Sequence, residues 1–135
     1  IRSGFSTSSK FNINKLKMCE MLGRRITEGL SLLDIDLAEH KTEYIYQIMF
    51  SYINGATNML ANPLCTLSEK EKVMMIKSFK GADFLPNWFC SVNALSVFQE
   101  DKKIGLSYFL FKHGLFKIML AMFRGRQKQM GLKAK

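Results

Sequence analysis

From residue 14 onward, apolar residues recur at steps of three and four along most of the chain. That is the spacing of one face of an α-helix. Over 14–33 the positions are Leu16, Cys19, Leu22, Ile26, Leu30 and Leu33, with Asn14 as a plausible N-cap and Arg24 and Arg25 on the other side. Gly23 and Gly29 each weaken a helix by about 1 kcal/mol relative to alanine, so a break is expected near Gly29. A second helix is expected over 37–61. Asp36 and Glu39 form a capping-box variant at its start, and Asn62-Pro63 ends it. Its main stripe is Ile45, Ile48, Met49, Tyr52, Ala56, Met59 and Leu60. Tyr46, Phe50 and Ile53 make a second stripe, so this helix should pack on more than one neighbour.

A third helix is expected over 67–80. Thr66 and Glu69 supply its capping box, and Gly81 its C-terminal cap. Val73, Met74, Ile76 and Phe79 should face inward, with Lys70, Lys72, Lys77 and Lys80 in solvent. Pro86 suits the first turn of a fourth helix, 86–98, with Trp88, Phe89, Val92, Leu95 and Phe98 as its apolar side. The fifth, 102–125, is apolar almost all round from Ile104 to Phe123, interrupted by Lys112, His113 and Lys117. Such a helix is either the centre of a bundle or embedded in something apolar. No strand-like alternation of useful length and no internal repeat occurs. The expected fold is all-α: about five helices in an irregular bundle, residues 14–125, flanked by extended basic segments at 1–13 and 126–135.

Length and charge sharpen this picture. The 135 residues suffice for one domain, and a 47% hydrophobic share supports a packed core. The net charge is +9, and it sits at the two ends. Residues 1–28 carry six basic and two acidic groups, residues 29–111 seven and nine, and residues 112–135 seven and none. The chain opens on Ile1, which suits a processed or shortened start, and the first acid is Glu20. Arg2-Ser3-Gly4-Phe5-Ser6-Thr7-Ser8-Ser9 resembles the arginine-aromatic-serine stretches around mitochondrial processing sites. Basic, hydroxyl-rich and acid-poor is also the composition of a transit segment.

Reactive motifs are missing from the sequence. It has no G-x-S-x-G, H-E-x-x-H, phosphate-binding P-loop or G-x-G-x-x-G. Cys19, Cys65 and Cys90 have no metal-ligand spacing and read as reduced apolar fillers; His40 and His113 lie far apart. Asp34, Asp36 and Glu39 sit where a helix start favours acids, and His113 lies in an apolar stretch. No enzyme activity, cofactor, metal or small-molecule substrate is therefore expected.

Partners remain. No run of 18 or more uncharged apolar residues is present, and Lys112 and His113 would fall near the middle of a spanning 104–123 helix at high cost. Nine methionines and eleven phenylalanines suit protein contacts. The expected contact set is Phe109, Phe116, Met119, Met122 and Phe123, followed by Arg124, Arg126 and Lys128, which would meet partner acids or anionic headgroups. The expected role is a non-catalytic accessory subunit of a mitochondrial inner-membrane complex, such as a respiratory complex or ATP synthase, at the membrane or its matrix face. Alternatives are a mitochondrial ribosomal protein touching RNA through its basic ends, and a small helical regulator binding one partner protein.

Overall fold

The computed structural model describes residues 13–134, and the side chains of 13–129. The serine-rich segment expected to be extended lies, up to residue 12, outside the described residues. The described residues are helical and contain no strand. Helix α1 is Ile13–Leu32. A 3-10 turn, Leu37–Glu39, leads into α2, Lys41–Ile48. A π-helical turn, Met49–Ile53, joins α2 directly to α3, Asn54–Leu60. Then come α4 (Glu69–Phe79), a 3-10 turn (Phe89–Ser91), α5 (Ala94–Glu100), α6 (Lys102–Lys112) and α7 (Phe116–Ala134). With 41–60 taken as one rod, six helices form an irregular bundle.

That rod, and not the fifth expected helix, is the centre. Tyr44, Ile48, Tyr52, Ala56 and Leu60 are all buried, as are Ile45, Met49, Ile53, Thr57 and Ala61. Both files advance by four residues. At 3.6 residues per turn each such step overshoots by about 40°, so over four steps the files would wind well off the core. The π turn, closed by the Asn54 N–H donating to the Met49 carbonyl, supplies a longer turn and holds them inward. Helix α1 packs on the π turn and on α3, α5 on α2, and α7 on α3 and α4. Of the second expected stripe only Ile53 is fully buried; Phe50 is exposed and stacks on Tyr46.

The single 102–125 helix is broken at His113-Gly114-Leu115. Gly114 has φ +74°, the left-handed region that glycine enters without steric cost. The Leu115 N–H donates to the Leu110 carbonyl at 2.8 Å, and the Gly114 N–H donates to that of Phe111 at 3.2 Å. These two bonds are a Schellman termination. The apolar character that ran all round one helix is thus divided between two helices meeting at an angle, each one-sided. Helix α7 then continues to Ala134, so residues 126–134 are helical where an extended tail was expected.

Other boundaries moved for local reasons. The capping box of α4 is Ser68 with Glu71, each side chain accepting the other's backbone N–H, and not Thr66 with Glu69. Asp36 caps only the 3-10 turn. Residues 86–93 are turn and loop, and Asn93 caps α5. Their shape is fixed from α6. The Tyr108 hydroxyl donates to the carbonyls of Phe89 and Val92, and the Lys112 ammonium donates to Val92 at 2.6 Å. Helix α1 runs through Gly29 unbroken.

Candidate functional site

Burial decides which expected contact residues are available. Phe116, Met119 and Phe123, expected to face a partner or lipid, are enclosed by the chain's own bundle, as are Ile104 and Phe111. The Gly114 turn is the reason, since it folds α7 back over α3 and α4. Met122 is half-buried. Phe109 is exposed and packs on the His113 ring, 4.6 Å between centroids. It shares a small recess with Leu95, Phe98 and Leu106. Arg124 is held by Glu69 at 2.5 Å, and Arg126 lies over Phe123, 5.0 Å from its centroid.

The exposed apolar surface lies instead on α1. Its buried line is Leu16 and Gly23, with Cys19, Ile26 and Leu30 partly covered. Gly23 takes the place that counting apolar residues gave to Leu22, because α1 crosses the π turn closely there. A Cβ on Gly23 would stand 3.1 Å from Tyr52 and from Phe84. The helix is fixed in that orientation by polar contacts. The Thr27 hydroxyl donates to the Gly23 carbonyl and pairs with the Tyr44 hydroxyl at 2.7 Å. Arg24 reaches Asp83 at 2.7 Å and covers the Phe84 ring.

This orientation turns Met18 (65% exposed), Met21 and Leu22 outward. With Cys19 and Met59 they line an open recess of about 550 Å³, with Lys15 and Arg25 at its edge. Leu32 and Leu33 are exposed at the end of the same helix. A buried side chain of this size contributes roughly 1.5–3 kcal/mol, so several left in water are a sizeable unrealised stabilisation. The recess offers recognition and not reactivity. Burial pushes the Cys19 thiol above its ordinary range, which suppresses the thiolate, and its sulfur lies 4.0 Å from that of Met59. Cys90 is raised for the same reason, against the pull of Lys80 and Lys112.

Among the described residues no three His, Cys, Asp or Glu side chains gather as a metal site, and no helix is long and apolar enough to cross a membrane. The signal missed in the sequence was the run Met18, Met21, Leu22 alongside a glycine at 23. Two apolar edges were available on α1, and the small residue marks the one that approaches the core. No protein-family model, curated protein or solved structure matches this chain.

Proposed function

We propose that this protein is a non-catalytic accessory subunit that docks the Met18, Met21 and Leu22 face of α1 onto another subunit of a larger assembly. The observation that carries the reading is that face: three long apolar side chains exposed around an apolar recess, on a helix whose orientation is fixed by Arg24 and Thr27. Methionines suit such a surface because their unbranched side chains adapt to a partner's shape. The transit-like composition of residues 1–13 supports a mitochondrial location, and an inner-membrane complex remains the assembly we favour.

The test is native electrophoresis of mitochondria from cells carrying a tagged copy at the natural locus, solubilised in mild detergent. The wild-type chain should migrate with a respiratory complex or ATP synthase. The double variant Met18→Glu, Leu22→Glu changes only exposed side chains, so it should keep its helical circular dichroism and fall to the free position. A wild-type chain at 15.5 kDa, or a double variant that stays in the complex, would refute the reading.

A further inference from the structure

A second recess, of about 800 Å³, opens where the middle of α7 passes the end of α3 and the start of α4. It shares no lining residue with the recess on α1. Four cationic side chains line it, Lys72, Arg124, Arg126 and Lys128, and no acidic one. Glu69 balances Arg124 from outside the lining. The other three cations have no carboxylate of a described residue within ion-pair distance.

Lys72 is the telling residue. Its place in α4 was expected to be solvated, yet only 8% of it is exposed. Its ammonium makes no hydrogen bond or ion pair to any described residue, and Glu69 feels its charge only at longer range. The bundle covers its aliphatic stem while its ammonium keeps access to solvent at the recess, so a positive charge stands there without a counter-charge. Neutral donors stand beside it. Asn62 accepts the Leu64 N–H through its carbonyl, which leaves its amide NH2 to face a ligand. Gln127 donates to both oxygens of Asn58 at 2.8 Å and so holds α7 in position over the recess. Pro63 and Phe123 add an apolar wall.

We propose that this recess binds a phosphate-bearing ligand, with Lys72 at its floor and Arg126 and Lys128 at its mouth. One carboxylate would balance one of the three cations. A phosphate group brings a charge of about −1.5 to −2 and three strong acceptor oxygens, which matches three donors. The same phosphate can belong to a free phosphorylated molecule or to an anionic lipid headgroup. The proposal stands independently of the docking face on α1.

Binding is measured on the full chain by titration calorimetry with inorganic pyrophosphate. In parallel, the chain is co-sedimented with vesicles of phosphatidylcholine containing 20 mol% phosphatidylglycerol, and binding of a short homopolymeric RNA is followed by anisotropy. Saturable pyrophosphate binding is expected, weakened about tenfold or more in Lys72→Met, since a charge-assisted bond is lost. Lys72→Arg should retain binding. Lys72→Met keeps an apolar stem of similar length where the bundle covers that of Lys72, so its fold should hold, and thermal denaturation checks this. Vesicle binding competed by pyrophosphate assigns the phosphate to lipid; pyrophosphate binding without vesicle binding assigns it to a free molecule. The proposal is overturned if neither probe binds, if binding is unchanged in a folded Lys72→Met, or if RNA binds and pyrophosphate does not displace it.

Discussion

Gly105→Ala tests the packing of the bundle at its tightest point. Gly105 lies in the first turn of α6 against Phe98 of α5, and both helices follow one another through Asp101. A Cβ at position 105 would overlap the backbone nitrogen, the Cα and the Cβ of Phe98. None of these atoms can rotate away, so the two helices must separate. Val97 and Ile104, both buried at the same junction, would lose contacts as they do. Overpacking of this kind costs typically 1–3 kcal/mol, and more where only backbone can yield. Alanine returns about 1 kcal/mol through helix propensity, so the net loss should be about 2 kcal/mol. In urea that moves the midpoint down by about 1 M, and in heat by roughly 6–10 °C for a chain of this size. Gly29→Ala and Gly125→Ala are internal controls. Both lie inside helices with nothing within 4 Å of the added Cβ, so each should gain up to about 1 kcal/mol. The reasoning fails if Gly105→Ala is as stable as wild type while the two controls gain.

Three further outcomes are expected. Gly114→Ala forces a side chain into left-handed backbone at the α6–α7 turn and should destabilise by about 1 kcal/mol in chemical denaturation; equal stability would mean the turn is not closed as described. Tyr44, Tyr52 and Tyr108 are all raised above the ordinary phenol value of 10 by burial. The unfolded chain therefore releases these protons first, and stability should fall as pH rises through about 10, with the ultraviolet phenolate signal of these three growing only alongside loss of helix; ionisation of all three in a fully helical protein would contradict their burial. Glu69 is held below its ordinary 4.5 by the Arg124 hydrogen bond, so the pair contributes above that pH and is lost as pH falls through the folded value; Arg124→Gln should flatten the acid limb of the stability curve, and an unchanged limb would show that the pair contributes nothing.

Helical spacing made the fold class legible: all five expected helical regions contain helix, and the ends at Asn62-Pro63 and beside Gly81 fell close to expectation. Periodicity could not register a direction change that leaves it undisturbed. Apolar residues continue at three and four through Gly114, so two one-sided helices looked like one helix apolar on every side. The cue was Lys112-His113-Gly114, basic residues followed by glycine, which is how helices end. That misreading moved the contact surface as well. Phe116, Met119 and Phe123 went to the core, and the apolar surface left over was on α1, where Gly23 and not Leu22 faces inward. The cations fared differently. Arg126 and Lys128 do line a recess, and so does Lys72, read as wholly solvated because it is a lysine on a helix, whose stem the fold covers.

The π turn at Met49–Ile53 has a consequence for which changes of length the rod can survive. Excising one residue there would restore regular helical bonding, an apparent local improvement. It would also turn everything after the cut by about 100° around the axis. Ala56, Thr57, Leu60 and Ala61 would swing off the core while Asn58 swung away from Gln127. The rod is thus keyed at one point, like a shaft whose two halves mesh only at a set angle. Exchanges of side chain within 49–53 are matters of size and polarity, whereas a deletion there should disconnect the halves of the bundle from each other.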